Sequence, residues 1–184
     1  MSPRSGLLSK VNPTFVSTFN ALLNPYDYYF PIAGIQIDSV GSITIGDPSA
    51  SSNLFENEYT GINTYNSNVN IYNNHFYYNT NICNTCTNKA NLEACIYARG
   101  NSKTTPNTVN IGSTSSSSYK NTFNNSAYGV YARDTLNLQV SNNTFSTDNY
   151  GTYVYGMFNT NIKINQNTMS GISKYGVYCA ASPS

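Results

Sequence analysis

Gly129-Val130-Tyr131-Ala132, Gly151-Thr152-Tyr153-Val154 and Gly176-Val177-Tyr178-Cys179 are renderings of one four-residue phrase, spaced 22 and 25 residues apart. The phrase occurs earlier as Gly34-Ile35-Gln36-Ile37, Gly61-Ile62-Asn63-Thr64 and Cys95-Ile96-Tyr97-Ala98, which makes six copies. The first five lead into a second alternating segment: Ile43-Thr44-Ile45, Val69-Asn70-Ile71, Val109-Asn110-Ile111, Leu138-Gln139-Val140 and Ile162-Lys163-Ile164. A single bulky apolar residue follows in each, at Phe55, Phe76, Phe123, Phe145 and Met169.

Alternation of apolar and polar residues puts one side of each segment in a core and the other in water, which is the signature of a strand. Three such segments inside a period in the low twenties make three short strands per turn. A unit this short cannot bury its own apolar face, whereas stacked units share one continuous core. Leucine-rich repeats have a similar period but need Leu at fixed places, and the few Leu here lie mostly outside the units.

The Gly-Val-Tyr-Ala unit at 129–132 and the Asn-Asn-Thr-Phe unit at 142–145 resemble the right-handed parallel β-helix of the pectate-lyase-like superfamily, over roughly Ile32 to the C-terminus. The resemblance implies an all-β solenoid of about five to six turns, with residues 1–30 as tail and cap and 31–184 as the helix. Insertions at about 77–94 and 101–118 lengthen two turns and emerge as loops. The chain stops just after Cys179, early in a sixth turn, and reads as truncated there. Enzymes, phage spikes, adhesins and carbohydrate-binding surface proteins share this architecture, so it assigns no activity by itself.

The composition fits such a stack. Of 184 residues 30 are Asn, 17 are Tyr and none is Trp. Asn tolerates the left-handed backbone of tight corners, and stacked Asn amides form ladders; the pairs Asn73-Asn74, Asn124-Asn125 and Asn142-Asn143 are the candidates. The last two pairs open glycosylation sequons, read here as ladder residues that match by chance. Only 17 residues are charged, for a net charge of +1, which excludes nucleic-acid binding by bulk charge. No apolar run approaches the length of a membrane-spanning helix. Met1 to Lys10 holds only Leu7 and Leu8 as an apolar pair and is no signal-peptide core.

If Ile35, Ile62, Ile96, Val130, Thr152 and Val177 point inward, the residues after them point out. Tyr97, Tyr131, Tyr153 and Tyr178 then form one outward file, and Tyr65, Arg99, Arg133 and Tyr155 lie in the next. Aromatic rings suit the apolar faces of sugars, and Arg grips carboxylate or sulfate bidentately. These eight residues are the candidate ligand site, and a polysaccharide or glycan is the expected partner. Tyr ladders also stabilise sheets with no ligand at all. Arg99 and Arg133, one strand spacing apart, repel each other unless Asp134 or an anionic ligand intervenes.

No pair of acidic residues is placed for catalysis. Asp38 and Asp134 fall three turns apart, roughly 14 Å at the strand spacing, against the limit of about 9.5 Å for carboxylate-pair hydrolysis. A lyase using Arg99 or Arg133 as base would need acidic partners from elsewhere. The leading expectation is therefore an exported or cell-surface scaffold, adhesin-like and part of a longer chain or assembly. The alternatives are a fragment of a polysaccharide lyase or glycoside hydrolase, and a mechanical spike module.

No cofactor is expected. His75 with Cys83, Cys86 and Cys95 offers one half of a zinc pattern and lacks the second tight pair. Cys95 is expected to pair with Cys83 or Cys86 in an oxidising, extracellular setting. Cys179, in register with Ala98, Ala132 and Val154, is expected to be a buried thiol.

Overall fold

The computed structural model describes residues 33–56, 60–77, 94–100, 107–134, 136–146, 148–156 and 161–180. The first two turns hold β1 (Ile35–Asp38), β2 (Ile43–Ile45), β3 (Asn53–Glu56), β4 (Ile62–Tyr65), β5 (Val69–Ile71) and β6 (Asn74–Tyr77). The next two hold β7 (Ala94–Arg99), β8 (Asn107–Ile111), β9 (Thr122–Asn124), β10 (Tyr128–Arg133), β11 (Leu136–Ser141) and β12 (Thr144–Ser146). β13 (Tyr150–Tyr155), β14 (Ile162–Asn165), β15 (Thr168–Ser170) and β16 (Tyr175–Ala180) follow.

Every third strand pairs, always in parallel. The sheets run β1-β4-β7-β10-β13-β16, β2-β5-β8-β11-β14 and β3-β6-β9-β12-β15. This is an all-β, right-handed parallel β-helix with three strands per turn, and the six four-residue phrases stack in register through the first sheet.

The interior is a set of vertical columns. Ile62, Ile96 and Val130 are wholly buried, as are Ile71, Ile111 and Val140 from the second sheet. Phe55, Phe76, Phe123 and Phe145 stack in sequence, with centroid separations of 4.8, 5.0 and 4.5 Å. Burying each ring is worth roughly 1.5–3 kcal/mol and each ring pair about 0.5–1.5 kcal/mol more. The glycine of the phrase exists for these rings. A Cβ on Gly129 would stand 2.5 Å from Phe145 Cδ1, and one on Gly61 2.8 Å from Phe76 Cδ1.

The amide ladder runs through Asn53, Asn74, Asn121, Asn143 and Asn167, each Nδ2 donating to the next Oδ1 at 2.9–3.1 Å. Asn74, Asn121, Asn143 and Asn167 also donate to a carbonyl of the preceding turn, at Ile45, Ile71, Ile111 and Val140. The expected membership is corrected here. Asn73 and Asn142, the first residues of their pairs, take left-handed corners, as does Asn125, with φ of 53°, 58° and 64°. Asn73 reaches the carbonyls of Asp47 and Ala50, and Asn142 those of Ser113 and Ser116. Asn142 thereby ties down the Ser-rich loop, which holds one short turn of 3₁₀ helix, Ser117–Tyr119.

One cysteine expectation changes. The side chain of Cys95 is wholly buried in the core where other turns have glycine. Cys83 and Cys86, its expected partners, lie outside the described residues. Cys179 is exposed rather than buried. It does align with Val154, but β16 pairs only with β13, and no described strand covers its other side. The expected cap at 1–30 and most of the insertion at 77–94 also lie outside the described residues.

Candidate functional site

The outer face of the six-stranded sheet carries three vertical files. Register places Gln36, Asn63, Tyr97, Tyr131, Tyr153 and Tyr178 in one, and Asp38, Tyr65, Arg99, Arg133, Tyr155 and Ala180 in the next. A third file, Ala94, Tyr128, Tyr150 and Tyr175, flanks the first on its other side.

The rings stack on one another. Tyr131 and Tyr153 are 5.0 Å apart at 10°, and Tyr153 and Tyr178 4.8 Å apart at 17°. Tyr128 and Tyr150 stack at 4.9 Å, and each makes a T-shaped contact at 5.2 Å, Tyr128 with Tyr131 and Tyr150 with Tyr153. Seven rings form an interleaved lattice, buried at Tyr97 and Tyr131 and exposed at Tyr175. Tyr131 is only 6% exposed, and burial backed by the neighbouring Tyr97 and Tyr153 pushes its phenol up to about 12.

The arginines are relieved from the corner that follows β10. Asp134 sits there at φ 66°, and its Oδ2 lies 3.3 Å from Arg99 Nε and 3.5 Å from Arg133 Nε. One carboxylate bridges two guanidiniums and leaves the cluster with one net positive charge. Each guanidinium also lies over a ring of its own file, Arg99 over Tyr65 at 5.2 Å and Arg133 over Tyr155 at 5.9 Å. Burial acts to lower the Arg133 pKa, but Asp134 and the neighbouring phenols outweigh it and the net shift is upward. An arginine so held stays protonated, which argues against a role as base.

Where the tyrosine file gives way to amides, the surface dips. Gln36, Asp38, Asn63, Tyr65, Tyr97 and Arg99 line an open recess of about 190 Å³. It has acceptors in Asp38, donors in Arg99, both in the two amides, and an aromatic wall.

Residues 28–184 match the family described as a right handed beta helix region. The chain belongs to that family. No curated protein and no solved structure matches it.

Within this right-handed β-helix the eight sequence-predicted site residues all fall on one outer face. Arg99, Tyr65 and Tyr97 meet at the recess; Arg133 and Tyr155 lie further along; Tyr131, Tyr153 and Tyr178 belong to the lattice. Sequence reasoning missed the file of Tyr128, Tyr150 and Tyr175, although Tyr-Gly-x-Tyr recurs in each of those turns. It also missed Gln36, Asp38 and Asn63 as lining residues. Asp38 and Asp134 are separated by three strand steps, β1 to β4 to β7 to β10. No described helix is long and apolar enough to cross a membrane, and the described residues contain no cluster of three metal-ligating side chains.

Proposed function

We propose that this β-helix is an extracellular, adhesin-like scaffold that binds carbohydrate, and that the recess between Asp38 and Arg99 is where one sugar unit seats. The carrying observation is the convergence there of a carboxylate, two amides, a guanidinium and a tyrosine wall. Vicinal hydroxyls both donate and accept, and this lining can meet them both ways. The wide spacing of Asp38 and Asp134 favours binding over hydrolysis. Stacking within the lattice favours the recess over the tyrosine file itself, because the ring faces a sugar would cover are already covered.

A glycan array and calorimetry test this with two variants. Asn63→Tyr extends the tyrosine file into the recess and is expected to abolish retention. Tyr153→Phe, away from the recess, is expected to keep it. Retention that survives Asn63→Tyr removes the recess from consideration. Absence of retention by the wild type leaves the mechanical reading, which the near-complete burial of Tyr131 independently favours.

A further inference from the structure

The recess is lined by polar side chains that the fold leaves unused. Asp38, Tyr65 and Arg99 follow one another in a single file, on β1, β4 and β7. The carboxylate and the guanidinium therefore stand at opposite ends, their backbones two strand spacings apart, roughly 9.5 Å. They are not paired with each other: the described ion pairs join Asp134 to Arg99 and to Arg133. Ser39 donates its hydroxyl to Asp38 Oδ1 at 2.7 Å, and Oδ2 has no partner among the described residues. Asp134 meets Arg99 at Nε, which leaves the outer nitrogens of a side chain that is 47% exposed. Beside the two charges, the side-chain amides of Gln36 and Asn63 are likewise without hydrogen bonds among the described residues.

We propose that the sugar polymer seated here is zwitterionic, with an ammonium against Asp38 and a carboxylate, on the adjoining sugar, against the outer nitrogens of Arg99. This rests on the reading of the recess as a carbohydrate site and specifies the class of its ligand. An ammonium brings three donors to the open Asp38 oxygen, and a carboxylate matches a guanidinium fork. The amides beside them take ring hydroxyls. A neutral sugar leaves both charges without a counterpart. A polymer carrying one sign throughout is attracted at one end and repelled at the other, so the same two residues select against polyuronates and polyamines alike. Asp38 and Asp134 balance Arg99 and Arg133, and no long-range field favours either homopolymer.

Calorimetry on the full chain compares three probes: an oligosaccharide alternating glucuronate with unacetylated glucosamine, its N-acetylated form, which keeps only the carboxylates, and a chitosan oligosaccharide, which keeps only the ammonium groups. The wild type is expected to hold the first about tenfold more tightly than either of the others, the worth of one hydrogen bond to a charged group. Asp38→Asn is expected to erase the preference over the N-acetylated form, and Arg99→Gln the preference over chitosan, with circular dichroism unchanged. Asp38→Lys is expected to reverse the order, so that the N-acetylated form binds best; a variant that had lost its fold would bind none. Three equal affinities in the wild type, or a preference that survives both Asp38→Asn and Arg99→Gln, overturns the proposal. Equal affinities that Asn63→Tyr abolishes leave the recess as a carbohydrate site and remove only the charge pairing, whereas retention of no glycan at all removes both.

Discussion

Asp148 receives two hydrogen bonds from Ser126, from its backbone N–H at 2.8 Å and its hydroxyl at 2.7 Å, and both fall on Oδ1. Oδ2 is buried with no partner. Burial raises the carboxyl from its ordinary 3.8 to about 6, against the lowering effect of the Ser126 bonds. The folded state therefore binds the proton more tightly than the unfolded chain. This contribution is fully present below about pH 4 and is lost as pH rises through about 6; it amounts to up to about 3 kcal/mol. Asp148→Asn is expected to raise the melting temperature at pH 7 and change it little at pH 4. Equal effects at both pH values would remove the buried charge as the cause.

Thr152 stands in a column otherwise filled by Ile35, Ile62, Ile96, Val130 and Val177, wholly buried and with its hydroxyl unpartnered. Valine has nearly the same shape and no polar atom to strand. Thr152→Val is expected to stabilise the fold by about 1 kcal/mol, read as a shift of the urea midpoint at constant slope. A loss of stability would mean that the hydroxyl is satisfied after all.

Asn121 occupies the middle of the amide ladder. Its Oδ1 accepts from the Asn74 backbone and side chain, and its Nδ2 donates to Ile71 and Asn143. Asn121→Ala leaves several buried groups without partners, each costing about 1–3 kcal/mol. A loss above about 2 kcal/mol is expected in denaturant unfolding. Asn125→Ala, outside the ladder, would lose only a residue suited to a left-handed corner and is expected to cost less.

The columns were legible in the sequence because alternation and a fixed period act together: once one inward residue is set, register sets the rest. Two features were not legible. The Asn-Asn pairs conceal a division of labour, since Asn73 and Asn142 turn the chain while Asn74 and Asn143 enter the ladder, and composition treats both alike. Tyr128, Tyr150 and Tyr175 precede the glycine that anchors the alignment, so a reading that starts at the glycine passes over them. Asp134 was legible as one of two groups able to separate Arg99 and Arg133, and the structure places its carboxylate beside both.

Gly129 and Gly41 make a contrast that tests why the phrase begins with glycine. At Gly129 a methyl group would meet Phe145 Cδ1 at 2.5 Å, Cε1 at 2.6 Å and the Gly151 carbonyl at 2.8 Å. The ring cannot withdraw, because it is stacked on Phe123 at 4.5 Å. Gly129→Ala is expected to cost at least about 1–3 kcal/mol, as overpacking does. Gly41 has nothing within 4 Å of such a methyl, and Gly41→Ala is expected to gain about 0.4–1 kcal/mol by restricting the unfolded chain. Thermal unfolding of both variants checks the pair, and similar shifts would refute the steric account.

Asp134 offers the last test because its effect is electrostatic and therefore adjustable. With Asp134→Asn the guanidiniums of Arg99 and Arg133 face each other one strand spacing apart with no carboxylate between them. Both are partly exposed, so each lost ion pair is worth only about 0–1 kcal/mol, and the corner backbone, which Asn also tolerates, is unaffected. A modest destabilisation is expected at low ionic strength. Salt should then shrink it, because charges this exposed are screened beyond about 10 Å at 0.1 M and more tightly above that. Titrating sodium chloride against the melting temperatures of wild type and Asp134→Asn separates the causes: a difference that closes with salt belongs to like-charge repulsion, and one that persists belongs to lost packing at the corner.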